Sequence, residues 1–476
     1  VSPRAEPGVR SASRLPAWLV ILVGVGSAIV TWGRVPGDAR ATVWAEDGGR
    51  FLPARAQDGF WSTLFAPYDG YLHLWARGIV GAASTWFPLD LFAPVVVALC
   101  SLAVGGVAVL VLVCSSSVTT WLPARIALAA VTVLLPVAPV EVLGNAANLH
   151  WYLLWGSFWI VLHSPRTWRS SIGLAVVGLT FALTEILTLL LAPLVFWRFL
   201  HARSWPVRAA YAIGLMAQAA TTLADTRVFR DPASIASDAI GYVAVVGTSI
   251  YLPTDAMLGA LVSRTGWWIG LVLLLPFAAS AVYAFVRGRA VVRVAVVGLV
   301  GLSLAVWGIS FGLNMGFPDY DYAVFAPEQW LGVYVLRYAA LSSLCLTALP
   351  VLAAVTLHDR GAARREALAR DAVQDDVAPV APVDPATRGE TVVIAPARRT
   401  REGAPLAILV LLVGLLAVNL TPGDTRRTDQ PSWRAGVEAA RSECAAEPAP
   451  REAVVPIAPA QWGWSSTLPC SFLVGR

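Results

Sequence analysis

The sequence contains no lysine, so all 35 of its basic residues are arginine. That excludes any chemistry needing a lysine amine, including the P-loop lysine and the Schiff-base lysine. Charge of either sign is scarce at 14% of the chain, against roughly a quarter in an ordinary soluble domain. A soluble globular enzyme is thereby excluded. Cysteine is sparse too, with five residues and neither a CxxC nor a Cys/His spacing that would hold zinc. No nucleotide-binding fingerprint occurs, and nothing points to a nucleic-acid partner. What is abundant is apolar surface: 57% hydrophobic residues, twenty Trp and a mean hydropathy of +0.66. One core cannot bury that surplus, which must face lipid. The fold expected is an all-α polytopic membrane protein.

The all-arginine basic set, the abundance of Ala, Val, Gly and Pro, and Val at position 1 suggest a high-GC bacterial gene with an alternative start codon. The expected location is the bacterial plasma membrane.

Cutting the chain at its Arg, Pro and polar punctuation leaves runs near the roughly 20 residues that cross about 30 Å of hydrocarbon. The first extends from Leu15 to about Gly33, behind Arg4, Arg10 and Arg14. It is followed by Arg34, Val35 and Pro36 rather than a small-residue cleavage site, so it reads as an uncleaved signal anchor with residues 1–14 cytoplasmic. Further runs lie at 91–113, 124–140, 149–163, 172–184, 186–200, 208–224, 267–286, 292–312, 331–356 and 404–420, about eleven in all. The positive-inside rule orients them. It leaves 20 arginines on the cytoplasmic side, 14 outside and Arg337 within a span, and the short outside loops near 140–148 and 313–330 have no arginine. This threading requires that 71–88, YLHLWARGIVGAASTWFP, does not cross. Its Tyr71, His73, Trp75 and Arg77 suit a helix lying in the headgroup layer.

Residues 357–403 read as a disordered cytoplasmic linker: between 358 and 402 they hold eight Arg and eight Asp+Glu without a sustained period. After the last span, the extracytoplasmic tail 421–476 carries Cys444 and Cys470 among Trp433, Trp462 and Trp464. Outside the cytoplasm that pair is expected to oxidise and staple a small domain. Cys100, Cys114 and Cys345 lie in or at the ends of spans.

Polar residues placed at the outer face are the candidates for function, and they concentrate in the first outside loop, 34–90. Adjacent acids Glu46 and Asp47 come first, then an amphipathic helix from Phe51 to about Phe60, Asp58, and the group Tyr68, Asp69, Tyr71, His73 and Arg77. A carboxylate held there could take a proton from an acceptor hydroxyl, and Arg77 or His73 could offset a phosphate charge. Acids and glycines in such a loop are more often a solvated turn. Asn145, Asn148, His150, Trp151 and Tyr152, near Glu141, could bond sugar hydroxyls and stack on a ring, or simply anchor the interface. Glu185 lies between two short apolar half-helices, where it must face a cavity or find an Arg. Tyr334, Arg337 and Tyr338 share a helix face, with a lipid phosphate and an internal salt bridge as alternatives for Arg337. Asp319, Asp321 and Glu328 make a weak cation or sugar site.

The order of a cytoplasmic N-terminus, one span, a long outside loop opening on an acidic pair, interfacial helices and a many-span bundle resembles the GT-C superfamily of polyprenyl-phosphate-sugar glycosyltransferases. Protein O-mannosyltransferases and lipid A aminoarabinose transferases belong to it. The resemblance covers about residues 15–356 and implies that Asp47, with Glu46 beside it, is the catalytic or metal-proximal carboxylate. PYDGYLHLWARG is similar to the family's second interfacial segment. The paired short helices resemble those that often carry a Thr-Lys-Pro-like break, but here Thr184 and Glu185 stand there without the lysine.

The function expected is therefore transfer of a sugar from a polyprenyl-phosphate donor to a glycan, lipid or protein acceptor at the outer face, with inversion. Asp47 would be the base, Arg337 or Arg77 with His73 would hold the donor phosphate, and Tyr68, Asp69, Tyr71, Asn148, His150, Glu185 and Tyr338 would hold substrate. A divalent cation is left open as a cofactor. A transporter or flippase of a lipid-linked glycan, or a non-catalytic envelope assembly protein, are the alternatives.

Overall fold

A computed structural model of the chain describes residues 15–197, 201–224, 234–314, 320–332, 336–376, 403–421 and 423–475. The protein is a bundle of apolar helices with two short hairpins, the architecture of a multi-pass all-α membrane protein. Among the described residues, five helices are long and apolar enough to cross a membrane: Ala17–Arg34, Leu89–Ser117, Ile269–Arg287, Ala290–Gly312 and Leu336–Arg370. Shorter apolar helices fill between them, including Leu122–Leu134, Trp168–Ala182 and Gly403–Val418. The His150–Leu162 helix is buried on nearly every face. That is the position expected of a helix hydrophobic all round. Its 13 residues reach only about 20 Å at 1.5 Å per residue.

Several boundaries differ from the sequence reading. The run at 124–140 is helical only to Leu134, because Pro136 disfavours helix in the residue before it and lacks the amide to continue it. The run at 186–200 is a 3-10 turn, Ile186–Leu191, and a four-residue helix, Ala192–Val195. Residues 198–200 lie outside the described residues. Two elements escaped the hydropathy reading, Ile235–Gly241 with its π-helical continuation Tyr242–Val246, and Asp255–Thr265. Their Ser, Asp and Gly residues dilute the apolar signal. The long helix Leu336–Asp376 enters what composition marked as disordered linker. Its DRGAARREALARD stretch is dense in Ala, Arg, Leu and Glu, all good helix formers. The rest of the expected linker, 377–402, lies outside the described residues.

Polar contacts sort the connecting segments into two ends. At one end Arg34, buried where the first helix stops, donates through Nη2 to the Leu135 carbonyl at 2.7 Å and through Nε to the Leu420 carbonyl at 3.1 Å. Nη1 bonds the Val133 carbonyl. One guanidinium thus satisfies orphan carbonyls at or just beyond the ends of two other helices while lying at the end of its own. At the other end Arg125 donates to the Leu112 carbonyl, Arg289 to the Val118 carbonyl and the Asp359 carboxylate, and Trp121 stacks on His358. The arginines threaded to one side of the membrane, Arg125, Arg203 and Arg289 among them, share this second end with the 358–360 segment.

The first loop stays at the end marked by Arg34. Pro67–Tyr68 (β1) and Tyr71–Leu72 (β2) form a hairpin closed by Asp69 and Gly70, whose φ of 52° and 86° are those of a two-residue type I′ turn. The helix expected from 71 therefore begins at Leu74 and ends at Trp86. Its start bonds Leu183 and Thr184, and Leu89 just beyond its end accepts from the Trp433 indole. The tail holds a helix, Trp433–Cys444, and a hairpin of Glu452–Pro456 (β3) and Ser465–Pro469 (β4). A Cys444–Cys470 disulfide closes it.

Replacing Arg34 with Leu strands the buried Val133 and Leu135 carbonyls, each costing about 1–3 kcal/mol, and releases the Leu420 carbonyl at the surface. We expect Arg34→Leu to lower the unfolding temperature of the purified protein markedly, with Arg434→Leu, an exposed arginine, changing it little. Equal melting of the two variants would contradict the role given to Arg34.

Candidate functional site at the acidic turn

Beyond the first helix the chain passes a short turn of helix, Gly37–Arg40, and at Glu46 enters a π-helical turn, Asp47–Phe51, that runs into the Leu52–Asp58 helix. Single π turns are uncommon and concentrate at functional sites. The two glycines inside it admit close neighbours. A Cβ at Gly48 would lie 2.7 Å from the Val43 side chain, and one at Gly49 would lie 2.8 Å from the Trp464 ring. The tail is seated on this turn by further bonds, from Trp433 N to the Ala41 carbonyl and from Ala458 N to the Val43 carbonyl, both at 2.9 Å.

The structure divides the acidic pair. Asp47 is 1% exposed and its two oxygens accept the backbone N–H groups of Ala146 at 2.7 Å and Ala147 at 2.8 Å. Burial pushes its carboxyl up to about 7; the two amide bonds and the Arg427 charge oppose the rise and the Glu46 charge adds to it. Arg427 caps the same turn by donating to the Gly144 and Leu143 carbonyls. Glu46 is different: its Oε2 is buried and, among the described residues, has no hydrogen-bond partner. Its charge is felt by Tyr68 and by Arg337.

His73, 5% exposed, lies against the Tyr71 ring at 4.0 Å and near Tyr68 and Phe51. Burial first, then the charges of His150 and Arg77, hold its imidazole neutral, with a pKa down at about 3. His73 is therefore uncharged in this arrangement, and the cation beside it is Arg77. It sits over the Phe51 ring at 5.1 Å and gives Nη2 to the Pro67 carbonyl, while Nε and Nη1 are buried without a partner among the described residues. Burial lowers its pKa, and an arginine stays charged regardless.

His150 and Glu185, read separately from sequence, are partners: His150 Nδ1 bonds Glu185 Oε2, and Glu185 Oε1 accepts the Leu187 N–H at 2.7 Å. Glu185 thus finds a histidine rather than the arginine that was one of its expected solutions. Asn148 and Asn145 turn inward. Both donate to the Glu141 carbonyl, and Asn145 Oδ1 accepts the Asn148 N–H. Asn148 thus helps build the turn through its backbone N–H and one bond from its amide nitrogen. Asp69 is exposed at the hairpin tip, where the turn itself asks for Asp. Asp58 is exposed at the end of its helix.

Arg337 reaches the cluster through Glu141, a buried carboxylate whose Oε2 accepts the Arg337 N–H at 2.9 Å and whose Oε1 lies 3.8 Å from Arg426 Nε. Burial raises the Glu141 pKa against these two positive neighbours. Arg426 also pairs with Asp255 at 2.5 Å. The Arg337 guanidinium lies over the Tyr338 ring at 5.1 Å, and that ring meets Trp151 edge-on at 6.1 Å. Tyr334 and Asp319 lie outside the described residues. Asp321 bonds the Ala323 amide and Glu328 is exposed. No group of three His, Cys, Asp or Glu side chains that could hold a metal ion exists among the described residues.

Sequence reading missed Arg426 and Arg427, which tie the tail to the 138–149 segment; a doublet of arginines directly after the last span was the available signal. Comparison with known proteins finds no matching family model, no matching curated protein and no matching solved structure.

Asp47→Asn keeps one acceptor but sets an amide donor against a backbone N–H, so one buried amide is left unmet at a cost of about 1–3 kcal/mol. We expect Asp47→Asn to destabilise the fold measurably in thermal unfolding and Glu46→Gln to leave it near wild type. The reverse order would show that the two acids have been assigned to the wrong roles.

Proposed function

We propose that this protein is an integral membrane glycosyltransferase of GT-C type, with about eleven spans, its N-terminus cytoplasmic and the acidic turn at the outer face of a bacterial plasma membrane. It takes a sugar from a polyprenyl phosphate and passes it to a cell-envelope acceptor. The observation that carries the reading is the half-buried Glu46, whose Oε2 has no partner among the described residues and whose charge reaches Arg337, in a loop that also buries Arg77 with Nε and Nη1 unmet among the described residues. A base and phosphate-binding cations on one side of a lipid-accessible bundle are what such a transfer requires.

Glu46, rather than Asp47, takes the proton of the acceptor hydroxyl, since both Asp47 oxygens hold amides. The hydroxyl oxygen then forms a bond to the anomeric carbon from the face opposite the phosphate. The bond from that carbon to the phosphate oxygen breaks, its electron pair leaves with the polyprenyl phosphate, and the configuration inverts. Arg77 and Arg337 oppose the charge that develops on the departing phosphate, where a water-poor site makes each worth more than in solution. Asp47 positions the base by clamping its turn to Ala146 and Ala147.

Glu46→Gln is expected to lower transfer of radiolabelled sugar from polyprenyl-phosphate donors by about 100-fold or more, in line with loss of a general base. Wild-type transfer by that variant removes Glu46 as the base. Absence of transfer by the wild type across a panel of hexosyl and pentosyl donors removes the transferase reading in favour of a flippase or scaffold.

A further inference from the structure

The end of the bundle opposite the acidic turn is strongly basic. From His163 to Tyr211 the sequence carries Arg166, Arg169, Arg198, Arg203 and Arg208, with His163 and His201, against a single acid, Glu185. Glu185 is bound to His150 at the other end, so it does not offset this charge. The arginine-bearing segments meet in space: Ser171 Oγ donates to the Arg203 carbonyl, and His201 Nε2 lies 3.5 Å from the Pro165 carbonyl. Arg166, Arg169 and Arg203 are exposed and Arg208 is buried, while Arg198 lies outside the described residues.

Arg208 lines a cleft between the last turn of the His150–Leu162 helix and the start of the Trp205–Ala224 helix. Ser204, Arg208 and Tyr211 follow one another at spacings of four and three, which sets them on one helix face, and all three line the cleft. His163 forms the facing wall, its Nδ1 held 2.9 Å from Ser117 Oγ and 3.1 Å from the Cys114 carbonyl. Arg208 Nη2 donates to the Trp197 carbonyl at 2.9 Å, which anchors the guanidinium there. Tyr211 is 1% exposed, and neither its Oη nor the nearby Ser157 Oγ makes a hydrogen bond by distance and angle among the described residues. Buried hydroxyls without partners cost free energy, so an occupant bearing oxygen is favoured. The remaining walls, Val161, Val195 and Val207, are apolar. Around the same arginines Trp168, Phe196 and Trp205 are exposed, and aromatic rings collect in this way at a membrane–water boundary.

We propose that this cleft binds the phosphate of an anionic phospholipid drawn from the adjoining leaflet. Basic pockets between spans at a membrane surface take such headgroups. The cleft has about 10 Å³ of room for the centre of a water-sized group, enough for about one such group, so one phosphate oxygen enters between Ser204 and Arg208 while the headgroup stays at the mouth. The exposed arginines meet its remaining charge, and the valines and exposed rings lie along its acyl chains. A zwitterionic headgroup would bring its own cation among the arginines, and free phosphate would leave the apolar walls bare. The site lies at the far end of the molecule from Glu46 and requires no sugar transfer.

The test is native mass spectrometry of the full-length protein in detergent micelles, offered equal amounts of dioleoylphosphatidylglycerol and dioleoylphosphatidylcholine. Phosphatidylglycerol should be retained about tenfold or more in preference, as two or more arginines acting near the headgroup would give. Arg208→Gln should lower its retention about fivefold, the share of one arginine. Ser204→Leu, which fills the cleft without changing charge, should lower it as well, and Arg434→Gln, on the exposed tail helix, should not. Equal retention of the two lipids overturns the proposal. So does a preference that survives both Arg208→Gln and Ser204→Leu, or one that Arg434→Gln lowers as far as Arg208→Gln, since either result means a diffuse basic surface in place of a site. Displacement of the lipid by excess inorganic phosphate overturns it in favour of a soluble phosphate ligand. If Arg208→Gln fails to fold, Ser204→Leu and the comparison of lipids on the wild type still decide.

Discussion

The grip of one carboxylate on two backbone amides organises this end of the molecule. Asp47 reaches across 99 and 100 residues of sequence to the N–H groups of Ala146 and Ala147. Charge-assisted bonds of that length are roughly twice as strong as neutral ones, and full burial removes the water that would compete. The turn they hold is defined from every side. Gly144 takes a φ of 74°, Asn145 and Asn148 close onto the Glu141 carbonyl, and Arg427 caps the Leu143 and Gly144 carbonyls. Because the central His150–Leu162 helix starts directly after this turn, its first residue is delivered to Glu185. Because Arg427 belongs to the tail, the disulfide-closed segment is drawn onto the same place.

The absence of lysine acquires a structural meaning in this setting. A guanidinium offers five donors in a rigid plane and can serve several carbonyls at once, whereas an ammonium is a compact and strongly hydrated point charge. Arg34, Arg125 and Arg427 all use the fork on main-chain carbonyls at helix ends and turns. They work as ties between helices in a bundle where lipid supplies no hydrophobic drive for helices to associate. Arg77 departs from that use, with Nε and Nη1 unspent among the described residues.

Much of the fold could be read without coordinates, since apolar runs and arginine-poor short loops report local solvation, which sequence records directly. The same holds for the acidic pair after the first span and for the two tail cysteines, marked by their place relative to the spans. Secondary structure was less legible where side-chain chemistry and backbone geometry disagree. The Asp69–Gly70 turn makes a hairpin of a stretch that reads as amphipathic helix. Helix-forming Ala, Arg and Glu carry the Leu336–Asp376 helix through a segment whose charge balance resembles disorder.

Sequence alone determined that this chain belongs in a membrane, which end of the bundle carries the conspicuous acids, aromatics and imidazoles, and which residues had no ordinary reason to be there. Only the tertiary structure decided how those residues divide their work. It set Asp47 and Asn148 on backbone amides and carbonyls, left Glu46 Oε2 without a partner among the described residues, neutralised His73 and joined His150 to Glu185. The physical reason is that a polar group's role in a buried site depends on which partners satisfy it. For His150 and Asp47 those partners lie 35 and about 100 positions away in the chain, where composition, spacing and periodicity carry no signal.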